Sequence, residues 1–170
     1  MILKVIGAIL VIISCGGFGF YIVLAHRQQV DELRQLVAAL DYISCELNYH
    51  LTPLPELCKR VSHRSKGMIR IAFDSFGREL EKQISPNVSG CMQAALSTTK
   101  EFSQITKQCL MNLGNSLGLF ELEGQIKGVE SVRYDCVQQL KQLSHNDQLR
   151  LRSYQTLALC AGAALAIIFI

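Results

Sequence analysis

Proline is almost missing from this chain. There are three in 170 residues, and two of them, Pro53 and Pro55, fall in one stretch, ELNYHLTPLPE, residues 46–56. The apolar residues between these breaks recur at helical spacing, and no apolar–polar alternation lasts long enough to compete as strand. Charge is sparse as well, at 18% of residues with a formal net charge of +3. That balance is too mild to demand nucleic acid, and basic and aromatic residues do not interleave as they do in single-strand binders. The sequence has no Walker loop, no GxSxG elbow and no HExxH helix. Its four histidines, His26, His50, His63 and His145, are scattered, and none stands at zinc-ligand spacing from another ligand. No catalytic residue, cofactor or metal site is therefore expected. The seven cysteines are odd in number and contain no CxxC pair, which argues against a disulfide framework. They fit small buried hydrophobes in a reducing compartment.

What the chain does have is apolar surface: 49% of residues are hydrophobic, crowded toward the two ends. Residues 5–25 carry no charge and, as a helix, reach about 30 Å, enough to cross a bilayer core. Tyr21 suits the interface, and His26–Arg27 closes the segment on a polar note. The competing reading is a cleaved leader, with Lys4 as its positive start and Val23-Leu24-Ala25 as its cleavage site. The length of the run and the aromatics at 18, 20 and 21 favour a retained transmembrane helix. Residues 154–170 form a second uncharged segment of about 25 Å, slightly short for a span. Ala158, Gly162 and Ala166 recur there every four residues, a stripe that permits close packing of membrane helices. A buried soluble helix is the alternative. Arg27 and Arg34 after the first segment, and Arg150 and Arg152 before the second, outweigh Lys4 and place residues 26–153 in the cytoplasm.

The middle predicts an all-α fold, a compact bundle of about six helices flanked by the N- and C-terminal membrane segments. Leu33, Leu36, Leu40, Ile43 and Leu47 step by three and four and make one seam of a helix ending near Tyr49, with Asp31, Glu32, Arg34 and Gln35 off it. Thr52 then reads as an N-cap and Pro53 as the first helical residue, so the proline pair ends one helix and starts another at a sharp corner. Leu54, Leu57 and Val61 face inward on this second helix. A third spans Ser65–Lys82, with Ile69, Ala72, Phe73, Phe76 and Leu80 as its face. Asn87 caps a fourth, carrying Val88, Met92, Ala95 and Leu96. A fifth runs near 100–117, with Phe102, Ile105, Cys109, Leu110 and Leu113 inward, Gly114 at a close approach and Gly118 at the C′ position. The last carries Leu122, Ile126, Val129, Cys136, Leu140 and Leu143 and feeds toward the C-terminal segment.

Two surface features remain. Lys59, Arg60, His63, Arg64, Lys66 and Arg70 crowd residues 59–70. This is either a solvated face or a contact for anionic lipid headgroups or an acidic partner. Glu46 and Glu56 flank the corner and superficially resemble a carboxylate pair. Glu56, however, belongs in a first helical turn, where its charge favours the dipole.

The stretch ELNYHLTPLPE resembles the E-x-x-Y-x-x-T-P-L-x-E signature of the stage III sporulation protein AB family. LGNSLG at 113–118, Gln125, the opening MILKVIGAILVI and the closing apolar segment follow the same layout, so the resemblance covers essentially the whole chain. Pro55 departs from the pattern, which has a small or polar residue there. The resemblance implies a non-catalytic, membrane-anchored scaffold of a secretion-like channel complex in the mother-cell membrane around the forespore. It implies a cytoplasmic domain similar to the type II secretion platform protein F. The implied partners are a secretion-type ATPase (stage III sporulation protein AA-like), other channel-complex membrane proteins and membrane lipids, without nucleic acid. Glu46, Tyr49, Thr52, Pro53, Leu54 and Glu56 then form a candidate structural or partner-contact motif, with Lys59, Arg60, Arg64, Lys66 and Arg70 as a candidate basic patch beside it. The competing functions are an exported helical protein freed by leader cleavage and a generic membrane-anchored adaptor.

Overall fold

The leucine seam and the proline corner set the first two elements. Helix α1 (Ile2–Tyr49) ends where the proline corner begins. Its last turn closes with the His50 N–H donating to the Glu46 carbonyl at 2.9 Å. Pro53, four residues after Tyr49, has no N–H to extend the ladder, and it pushes the residue before it out of the helical region. Helix α2 (Leu54–Arg64) starts one residue later than the sequence suggests: Pro53, with extended ψ of 139°, is itself the N-cap, and no side chain caps the helix. Pro55 falls in the first turn, where a missing N–H leaves no intrahelical bond unmade. Thr52 is therefore not the cap; its hydroxyl donates to Glu46 at the end of α1.

The computed structural model describes residues 2–50, 52–82, 87–98, 102–118 and 121–144, with side chains from residue 24 onward. Helix α3 (Gly67–Lys82), α4 (Val88–Thr98), α5 (Gln104–Leu117) and α6 (122–144) follow. The described residues are thus all-helical in six elements, with no strand among them. Two units are distinguished, Met1–Val30 with Gln142–Ile170, and Asp31–Lys141. In the first, the described backbone is helical over 2–30 and 142–144. Among the described residues no helix is long and apolar enough to cross a membrane. For the expected 5–25 span the backbone is described, but the side chains through residue 23 are not. The expected 154–170 segment, with Ala158, Gly162 and Ala166, lies outside the described residues, as does Ser85-Pro86.

Within Asp31–Lys141 the core is built from the seams read off the sequence. Leu33, Leu36, Leu40, Ile43 and Leu47 of α1 are buried, with Leu57 and Val61 of α2, Ile69, Ala72, Phe73 and Phe76 of α3, Met92, Ala95 and Leu96 of α4, and Cys109, Leu110 and Leu113 of α5. Consecutive helices pack on each other from α2 through α5. Along α6, Val129, Val132 and Cys136 are buried, whereas Leu122, the first helical residue, is 40% exposed. Leu122 stands six residues ahead of Gly128, where α6 approaches Ser116 of α5, and Val132 takes a place in the core instead.

Helix boundaries follow local chemistry. Helix α5 starts at Gln104, not near residue 100, because Ser103 caps it and accepts from the Thr106 N–H at 3.2 Å. Gly67, at φ +56°, is the one left-handed glycine among the described residues, and it turns the chain from α2 into α3. Gly118, in contrast, ends α5 in a right-handed conformation and is not a left-handed C′ residue. The glycines of the later helices serve close approach. A Cβ on Gly114 would lie 2.7 Å from the Met92 Cβ, and one on Gly128 would lie 2.6 Å from the Ser116 Cβ. The LGNSLG stretch thus supplies two close approaches of α5, Gly114 toward α4 and Ser116 toward α6.

Candidate interaction site at the first corner

The corner is organised by one carboxylate. Glu46 lies in the last turn of α1, and its side chain is 9% exposed. A carboxylate held so far from water needs donors. It accepts from the Tyr42 hydroxyl at 2.6 Å, one helical turn back, and from the Thr52 hydroxyl at 2.8 Å, beyond the helix end. The Arg60 guanidinium of α2 stands 3.6 Å away and the His50 Nδ1 3.9 Å away. Arg60 also donates to Glu56 at 2.7 Å, so it ties the first turn of α2 to the last turn of α1. The hydroxyls of Tyr42, then of Thr52, hold the Glu46 carboxyl below the usual carboxylate range. The same bond raises the Tyr42 phenol. A general base is poised near neutrality, and Glu46 is driven the other way. Its arrangement suits a structural tie that fixes the angle of the corner.

The motif residues separate on this geometry. Glu46, Thr52 and, through Arg60, Glu56 are brought together. Tyr49 stays outside the network, 79% exposed, and Pro53 is exposed while Leu54 is half-buried. The basic residues separate too. Lys59 pairs with Glu81 across α2 and α3, and Arg60 is held by Glu46 and Glu56. Arg64 lies over the Tyr42 ring, 4.5 Å from its centroid. Lys66 and Arg70 are exposed. The Lys59 ammonium is raised by its bond to Glu81, and Arg60 by its bond to Glu56.

Sequence reading missed Tyr42, although it sits four residues before Glu46, the spacing at which helical side chains touch. It also placed Glu32 off the apolar seam. Glu32 is buried, and its carboxylate accepts from the Thr106 hydroxyl at 3.2 Å and the Ser103 N–H at 3.4 Å. An anion there faces the N-terminus of α5, where the helix dipole favours it. No sequence signal links residues so far apart along the chain. Asp41 of α1 likewise pairs with Arg133 of α6.

Cys58, Cys91, Cys109 and Cys136 are buried free thiols, as expected of small core residues, whereas Cys45 is exposed. Burial pushes the Cys58 thiol up to about 12. Among the described residues no group of three or more His, Cys, Asp or Glu side chains could hold a metal ion.

Fold and corner together define a helical domain whose charged groups at the first corner are organised as structural ties. Comparison with known proteins identifies its kind. The chain belongs to the stage III sporulation protein AB family, whose pattern matches residues 4–170. The stage III sporulation protein AB of Bacillus subtilis (strain 168) is 23% identical over 131 residues, covering 75% of this chain and 76% of that one. A solved structure of a stage III sporulation protein AB has the same fold, with a TM-score of 0.64 at 19% identity, over 72% of this chain and 98% of that chain. Family membership makes the protein a component of a sporulation complex and not an enzyme.

Proposed function

We propose that the protein is a membrane-anchored assembly scaffold of the sporulation channel complex, in the mother-cell membrane around the forespore, and that it docks a secretion-type ATPase at the cytoplasmic face. In this reading residues 5–25 are a transmembrane helix, residues 26–153 the cytoplasmic helical domain, and residues 154–170 a second membrane segment whose Ala158, Gly162 and Ala166 pack against a membrane helix. The observation that carries the reading is the family match along residues 4–170. The uncharged character of 5–25 and 154–170, with the arginines on their inner flanks, supports the anchoring and its direction. The corner supports the scaffold role. Glu46 binds the two sides of the bend rather than a substrate, so the domain offers a fixed surface to partners. Tyr49 and the cations after Arg60 are exposed and are the proposed contact residues.

The test is a pull-down of the full-length protein from membranes of sporulating cells. The expected result is recovery of the secretion-type ATPase together with other membrane proteins of the channel. Recovery of neither, from membranes in which the protein itself is abundant, overturns the reading. An alkaline phosphatase fusion at Asn87 tests the topology: an active fusion places the domain outside the cytoplasm and favours the exported alternative.

A further inference from the structure

Beside the Glu46 network, α1, α2 and the link after α2 leave an open groove of about 220 Å³. Ala38 supplies exposed apolar surface over a floor of buried Ala39 and Val61, Tyr42 forms part of the wall, and Arg64 and Ser65 supply the polar groups. No carboxylate lines the groove, and among the described residues none pairs with Arg64. This sets Arg64 apart from its neighbours, since Lys59 and Arg60 are already neutralised by Glu81, Glu46 and Glu56. The guanidinium carbon of Arg64 lies over the Tyr42 ring, 4.5 Å from its centroid. The Arg64 N–H groups carry no carboxylate among the described residues, and a guanidinium edge matches a carboxylate in two parallel hydrogen bonds. The ring itself is held in place, because its hydroxyl donates to Glu46, and Glu46 is anchored in turn by Thr52. The corner network therefore orients an arginine that lies outside it. Exposed Lys66 and Arg70 add positive potential nearby.

The geometry points to an acidic segment of a partner protein as the occupant of this groove, its Asp or Glu carboxylate bound by Arg64 and its apolar neighbour seated against exposed Ala38. The mixture of one oriented cation with small apolar side chains fits a peptide, which presents both kinds of group along one chain. A bilayer surface meets protuberances and does not follow a concave groove between helices. The inference deepens the scaffold reading and rests on it, since it names the chemistry of a docking partner.

The test uses the full-length protein in sporulating cells, with a photo-reactive benzoylphenylalanine replacing Ala38 in one strain and Gln35, also on the groove lining, in another. The expected adduct is a segment of another channel-complex protein carrying Asp or Glu beside the linked residue. Its yield falls about tenfold or more in Arg64→Gln, as loss of one partner of a bound charge pair requires. It is unchanged in Arg78→Gln, whose guanidinium pairs with Asp74 on α3, and Arg64→Gln melts at the wild-type temperature. A lipid adduct, an adduct to a second copy of this chain, a segment without a carboxylate, no adduct from either position, or a yield indifferent to Arg64 each overturns the proposal. If the adduct fails while the pull-down still recovers the ATPase, the groove assignment falls and the scaffold reading stands. If both fail, the scaffold reading falls first.

Discussion

The corner between α1 and α2 and the contact where α5 meets α4 and α6 are held by different means. At the corner the parts are polar: one shielded carboxylate gathers two hydroxyls and an arginine from both sides of a helix break. At the α5 contacts the parts are shapes: Gly114 lets Met92 approach, and Gly128 lets Ser116 approach. The first kind of joint fixes an angle, because hydrogen bonds are directional. The second fixes a distance, because a close-packed interior tolerates no added atom. A domain that presents a surface to partners needs both, an angle at its exposed bend and a rigid body behind it.

The comparison can be broken at several points. The largest effect belongs to the apolar body. Phe76, fully buried on α3, cut back to Ala destabilises the chain by about 3–5 kcal/mol in urea unfolding, since the cavity cannot close. Next is the close approach itself. Gly114→Ala gains helix propensity, yet its Cβ meets the Cβ of Met92, which no rotamer change can move. A net loss of about 1–2 kcal/mol is expected from overpacking less that gain, and an unchanged midpoint would mean that α4 and α5 are not in contact there. A smaller loss follows at the α2–α3 turn. The Cβ of Gly67→Ala meets nothing within 4 Å, so its effect is the left-handed backbone alone, about 1 kcal/mol.

The smallest effect sharpens the polar side. Thr52→Ala removes one donor from Glu46 and lowers the melting temperature at pH 7. Glu46 is an acid whose folded pKa is depressed. The stability from its ionised form is therefore fully present above the unfolded value near 4.5 and is lost as pH falls through the folded one. The difference between wild type and Thr52→Ala should shrink across that acid window. A difference that stays constant from pH 7 down to the acid limit would show that Thr52 acts on α2 and not through Glu46.

The same contrast explains what was legible beforehand. The apolar seams were, because side chains at three and four residue steps share a helix face whatever the helix packs against. The corner was too, because Pro53 and Pro55 forbid continuation of α1 on local grounds. Leu122 and Glu32 were misjudged for a common reason. Whether a position on a helix is buried depends on where the neighbouring helix ends, and that is not a property of the position. Thr52 was assigned to the right corner and the wrong partner: a local rule has its hydroxyl accept from helix N–H groups, but the chain starts α2 one residue later and the hydroxyl donates to a shielded carboxylate six residues earlier. The basic cluster read as one patch, although Glu81 lies far along the chain from Lys59 and neutralises it.

The order of helices, their inward faces and the site of the sharp bend were determined by the sequence alone, because periodicity and proline act through the backbone within a few residues. Tertiary structure decided which charges are ties and which remain open, Glu46 and Arg60 on one side, Arg64 on the other. Electrostatic pairing depends on distance in space, and only the packed helices set that distance.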